Sequence, residues 1–212
     1  MKIKSVRSLE VLDSRGKPTI MTSVYLEDGS KGTAMVPSGA STGSLEAYEL
    51  NDNEPERYLG SGKLKAVENS NKKIFEGLAG LDASDQKLID ETMIEIDGTE
   101  NKNNLGANTI LAASIATARA SASSANIPLY EYLNITFNKM FSTKVHMSKP
   151  RPMLNIFNGG SHANNTIDIQ EFMILPSKNI PFKKGLRMST EVYMNLKILL
   201  SQKALSTTVG DE

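Results

Sequence analysis

Cysteine is absent from these 212 residues, which excludes disulfides, thiolate zinc sites and cysteine nucleophiles. Histidine is almost as scarce: His146 and His162 are the two imidazoles, so a bound metal is expected to be a hard cation held by oxygen. Neither sign of charge is in excess, with 24 Lys and Arg against 24 Asp and Glu, and no net field favours nucleic acid or an anionic membrane as partner. Long apolar runs are missing as well. None approaches the roughly 20 residues that span a bilayer, and the opening MKIKSVRSLEVL lacks the apolar core of a signal peptide. The expectation is a cytoplasmic protein. What is present, 39% hydrophobic residues over this length, suffices for a sizeable core in one or two domains.

The first forty residues read as a strand meander: SLEVL, the turn DSRGKPT, the alternating IMTSVYL, a hairpin turn at Asp28-Gly29, then KGTAMV. From Gly62 the period lengthens. Leu64, Val67, Ile74 and Leu78 recur at helical spacing up to Gly80, and a second helix capped by Asp82 or Ser84 carries Leu88, Ile89, Met93 and Ile96 to Gly98. In the Ala- and Ser-rich stretch 105–128, Ile110, Leu111, Ile115 and Ala118 share a face, which predicts a buried helix ended by Pro128. Between Asn134 and Pro152 the sequence is polar, basic and proline-punctuated and reads as a linker. Beyond it come MLNIF, the turn NGGSHANN, IDIQEFMIL, a helix with Val192, Leu196, Leu199 and Leu200 on one side, and the start of another strand at ALSTTVGDE. That order is a small α+β unit, 1–138, followed by the opening of an α/β array, 139–212. No internal repeat is found.

Four places could carry chemistry. The segment Ser38-Gly39-Ala40-Ser41-Thr42-Gly43 joins backbone freedom to hydroxyls, as a loop closing over an anion or a hard cation needs; alternatively it is a strand-to-helix connection with local serine turns. None of Ser38, Ser41, Thr42 and Ser44 has Glu or Gln three residues on, so a capping box does not explain them. His162 tips the NGGSHANN turn, either to meet a ligand oxygen or to brace the loop, whereas His146 lies in the linker. Strand alternation through IDIQEFMIL puts Glu171 beside Ile167, Ile169, Met173 and Leu175, where a carboxylate is costly unless paired, hydrogen-bonded or facing a wet cavity. Glu212 is the fourth: two glutamates at strand ends could share a pocket, where like charge raises one proton affinity and makes that group an acid near neutrality.

VLDSRGKPT, VPSGASTG with Glu46-Ala47, YLGSGKLKAVENSNKKI, IDGTENKNNLGANTIL, LNIFNGGSHANN, IQEFMILP, STEVYMNLK and VGDE follow one another along the chain. In this order they closely resemble the enolase family. The resemblance implies a three-stranded meander with helices, joined to a TIM-type α/β barrel that is incomplete in this sequence. It implies dehydration of 2-phospho-D-glycerate to phosphoenolpyruvate in glycolysis, two Mg(2+) per active site, and a homodimer. Position by position, it makes Ser41 a ligand of the second magnesium, brings His162 and Gln170 to the substrate, and sets Glu171 and Glu212 around the departing hydroxyl with Glu212 the general acid. In some enolases a secondary cell-surface pool is known.

In the family, a glycine pair and roughly half of the protein follow VGDE, including the base lysine and the acidic ligands of the first magnesium. The resemblance therefore implies that residues 1–212 alone are catalytically silent, or act as a binding or subunit-pairing module. Departures from the family pattern add to that expectation. Lys17 replaces a common Asn, Met21 stands where an acidic residue often supports the dimer, and Lys149 and Arg151 replace apolar residues. Gly185 falls inside a predicted helix, at a cost of about 1 kcal/mol relative to Ala.

Overall fold

A computed structural model describes residues 1–39, 43–160 and 165–207. They divide into two compact units, 1–145 and 146–212.

The first unit is built on an antiparallel sheet of β1 (Ile3–Leu12), β2 (Pro18–Leu26) and β3 (Lys31–Met35) in sequential order. Local chemistry sets both hairpins. The Asp13 carboxylate accepts from the amides of Arg15 at 2.8 Å and Lys17 at 2.9 Å, while Gly16 takes φ of +72°. In the second hairpin Asp28 accepts from Ser30 at 2.9 Å and Gly29 takes φ of +87°. Register then follows, with Val6 opposite Val24 and Thr22 opposite Ala34.

A continuous helical run crosses β1 as α1 (Leu64–Asn69), a π-helical turn (Ser70–Ile74) and α2 (Phe75–Leu78). The π turn is fastened to the sheet. Asn71 accepts from the Ser8 amide at 2.7 Å and donates to the Ser8 carbonyl at 3.1 Å, which satisfies part of the edge of β1. Ser8, Thr22 and Ser70 hydroxyls link behind it at 2.7 Å. The next helix, α3 (Gln86–Asp97), is capped by Asp85, whose carboxylate accepts from Leu88 at 3.2 Å. Asp82 and Ser84 form the preceding turn instead. Gly98 ends α3 in the left-handed conformation, φ +67°. Ile89 and Met93 are buried as expected, but Leu88 is exposed.

The long helix α4 (Ala107–Ser124) is buried as expected, with Ala118 enclosed and Ile110 and Ile115 packed against the core, but Leu111 faces solvent and the innermost positions belong to smaller side chains. Ala112, Ala113, Ala116 and Ala120 are buried with Thr109, Thr117 and Ser121, whereas Leu111 is exposed and Ile110 and Ile115 are only half-buried. Small side chains face the sheet because α4 lies against β3 itself. A Cβ on Gly32 would sit 2.1 Å from the Ala116 carbonyl oxygen and 2.2 Å from the Ala120 nitrogen. Ile3, Val6, Val24, Leu26, Ile74, Leu78, Ile89, Met93 and Leu105 complete this core. A last helix, α5 (Leu129–Met140), continues through part of the stretch that the sequence suggested was linker.

The second unit contains the antiparallel pair β4 (Leu154–Asn158) and β5 (Glu171–Ile174), then α6 (Phe182–Gln202). No closed barrel is formed among the described residues. β5 is shorter than the alternation implied: residues 167–170 are irregular and strand geometry begins at Glu171. Gly185 is buried, and a Cβ there would meet the Pro176 ring at 3.1 Å, so close packing accounts for a glycine inside α6. Among the described residues no helix is long and apolar enough to cross a membrane.

Candidate functional site

Both limbs of the segment 36–50 are held by neighbours remote in sequence. On the entering limb, the Val36 amide donates to the Ile20 carbonyl at 3.2 Å, the Thr19 hydroxyl donates to the Val36 carbonyl, and the Arg15 guanidinium donates to the Ser38 carbonyl. The returning limb is fixed by Tyr48, whose amide donates to Asn101 at 2.9 Å and whose carbonyl accepts from Ala107 at 2.8 Å. The Asn108 side chain then pairs with Leu50, accepting at 3.1 Å and donating at 3.2 Å. Ser38 donates to Glu49 at 3.1 Å across the base of the segment. Among the described residues a 3-10 turn at Tyr58–Gly60 is the first helical element after this segment and α1 the first α-helix.

Charged groups cluster beside this base. Asp52, 2% exposed, accepts from the amides of Leu64 at 3.0 Å and Lys65 at 2.8 Å and so covers the start of α1. Arg57 bridges Asp52 at 3.1 Å and Glu10, and Glu10 also accepts from the Lys63 amide at 2.6 Å. The Arg57 guanidinium holds the Glu10 carboxyl below the usual carboxylate range against the opposing effect of burial. Lys63, 2% exposed, pairs with Glu49 at 2.7 Å and donates to Asn51.

A second buried carboxylate organises the loop before α4. Burial pushes the Asp97 carboxyl up, but hydrogen bonds from the Thr99 hydroxyl and from the amides of Leu105, Thr99 and Asn104 outweigh it, and the group lies below its ordinary value. The amide bonds are 2.6 Å to Leu105 and 3.1 Å each to Thr99 and Asn104.

In the second unit the turn between β4 and β5 depends on glycine. A Cβ on Gly159 would lie 2.5 Å from the Ile169 carbonyl oxygen and 2.6 Å from that of Ile167. Gly159 donates to Gln170 at 2.9 Å and Gly160 to Ile167 at 2.6 Å. Glu171 pairs in register with Asn158, whose amide oxygen is buried without a hydrogen-bond partner. Of the aliphatic neighbours predicted to surround Glu171, Ile169, Met173 and Leu175 are open to solvent, Ile169 by 56% and Met173 by 50%, and Ile167 is half-buried. Apolar enclosure is therefore not what distinguishes this carboxylate.

Of the residues singled out by sequence, Gln170 and Glu171 stand together where β5 begins. Ser41, His162 and Glu212 lie outside the described residues. Sequence reading missed Lys63, Glu49, Asp52 and Asp97. Periodicity could have flagged Lys63 alone, as a charge one residue before an apolar helical stripe. Among the described residues no three His, Asp or Glu side chains gather as a metal site, so those residues do not by themselves fit a magnesium centre.

A three-stranded α+β unit followed by a separate strand pair and helix is consistent with an α+β domain joined to an incomplete α/β barrel. The family model for the enolase N-terminal domain matches residues 3–133, and that for the enolase C-terminal TIM barrel domain matches 146–212. The chain belongs to the enolase family.

Proposed function

We propose that this chain provides part of a lyase site that dehydrates 2-phospho-D-glycerate to phosphoenolpyruvate. The observation that carries this reading is the match of both enolase domains in their order, with Gln170 and Glu171 set side by side on a glycine-dependent hairpin.

In the reaction, a base takes the proton from the carbon beside the carboxylate, a part the family gives to a lysine, and hydroxide leaves the neighbouring carbon with a second proton from an acid; phosphoenolpyruvate and water are formed, and the base's proton afterwards restores the acid through solvent. Hydroxide is a poor leaving group unless protonated as it departs. In this reading Glu212 is the general acid that supplies that proton, and Glu171 is the second carboxylate at the departing hydroxyl. Gln170 and His162 hold the substrate. Ser41 would offer an oxygen to a magnesium ion, whose positive charge would offset negative charge developing on the substrate carboxylate. Pairing as a homodimer accompanies this activity, and glycolysis in the cytoplasm is its setting.

The test is a chimera in which residues 1–212 replace the corresponding part of a complete enolase. Phosphoenolpyruvate formation is expected from the chimera and not from 1–212 alone. Glu212→Gln in the chimera should lower kcat by roughly 10²–10⁴-fold with substrate affinity little changed. An inactive chimera that is folded and dimeric, or full turnover by the Gln variant, would reject the reading.

A further inference from the structure

A buried ammonium must be paired, because its lost hydration is not otherwise replaced. Lys63 is the charged side chain to which this applies most directly: it is 2% exposed, and its ammonium meets Glu49 Oε1 at 2.7 Å and Asn51 Oδ1. Its backbone cannot drift, since the Lys63 amide is held by Glu10 at 2.6 Å and the next two amides by Asp52 at 3.0 and 2.8 Å. A fixed charge therefore faces Glu49 from a fixed position. The second oxygen of that carboxylate accepts from the Ser38 hydroxyl at 3.1 Å. Glu49 thus joins a buried cation to a residue eleven positions earlier in the chain, and Ser38 is gripped from its other side by Arg15.

We propose that Lys63 is a positioning residue for the two limbs 36–39 and 43–50: through Glu49 and then Ser38 it fastens them at a single neck. Tying Ser38 to Glu49 restrains the described residues on both limbs before any ligand is met. The value of this to catalysis rests on the reading of Ser41 given above; the neck itself does not.

Hydrogen–deuterium exchange of the 212-residue chain, with neither magnesium nor substrate present, separates the two. Lys63→Met should speed exchange in peptides covering 43–50 by roughly tenfold, an opening-equilibrium effect, while β1–β3 stay protected. Ser38→Ala leaves the buried pair intact and cuts the last link, so it should open the same peptides without loss of fold. Because both changes break one chain of contacts, the double variant should exchange no faster than Lys63→Met alone. Unchanged exchange over 43–50 in Ser38→Ala, additive effects in the double variant, or equal acceleration of β1–β3 would each overturn the proposal. Failure of the chimera to turn over would count against the catalytic reading and leave the exchange result standing.

Discussion

The two units bury very different things. In the first, the enclosed set includes Ile3, Ile20, Leu26, Ile74, Leu78, Ile89 and Met93, each at most 2% exposed. In the described part of the second, the buried residues are Gly159, Gly185 and Ser189, while Phe172, Met173, Val192, Tyr193, Met194, Ile198 and Leu199 stay open to solvent. Apolar content does not account for the difference, because α6 carries more large apolar side chains than α3. Layering does: a sheet with helices crossing it encloses a core, and one strand pair with one helix covers neither side of itself. Stability should therefore reside in the first unit, and perturbations of equal chemistry should cost unequal amounts in the two.

The largest effect is expected at Gly32. Its added Cβ would strike backbone atoms of α4 at 2.1 and 2.2 Å, and neither side can rotate away as a side chain would. Gly32→Ala should destabilise the first unit by about 3 kcal/mol or more, read as a lowered denaturant midpoint. A cost under about 1 kcal/mol would mean that α4 is not seated on β3 as described.

Asp97 gives the next effect, and its pH dependence carries a sign. Its carboxyl is lowered in the folded state, so the stabilisation is full above the unfolded value of about 4 and is lost as pH falls through the folded value. Asp97→Asn should cost about 2 kcal/mol at neutral pH, and its denaturation midpoint should converge on that of the parent in acid. A constant gap across the titration would remove the carboxylate from the explanation.

How far the sequence disclosed this can be argued from single residues. The meander was legible because Asp13, Gly16, Asp28 and Gly29 act within a few residues of themselves, and the end of α3 was legible because Gly98 takes a conformation that few other residues adopt. The facing of α4 was legible only in part: Ala118 is buried and Ile110 and Ile115 pack against the core, but Leu111 is exposed. Hydropathy assigns the inner side to isoleucine, but the inner side here is set by a glycine some eighty residues earlier, which admits only alanine-sized neighbours. Lys63 was hidden for a similar reason: its burial depends on Glu49 and Asn51 arriving from another loop. Glu171 was found by alternation, yet residues 167–170 are irregular and its predicted apolar setting is absent. Alternation singled the residue out, and only the family motif attached a role to it.

The smallest effect is the one that sharpens the comparison most. Gly185 sits inside α6, where alanine would gain about 1 kcal/mol of helix propensity. Against this gain, the new Cβ would press on the Pro176 ring at 3.1 Å, a contact that a few tenths of an ångström would relieve. Unlike the backbone that confronts Gly32, the Pro176 ring is a side chain on a short connection, free to yield if nothing behind it is packed. The two contributions should nearly cancel, leaving Gly185→Ala within about 0.5 kcal/mol of the parent, measured by exchange protection of α6. Should alanine protect α6 by the full propensity gain, the ring yields without cost and the second unit is looser than its contacts suggest. Should it cost more than about 1 kcal/mol, the unit is packed at that point as firmly as the first, and the contrast in burial does not extend to rigidity.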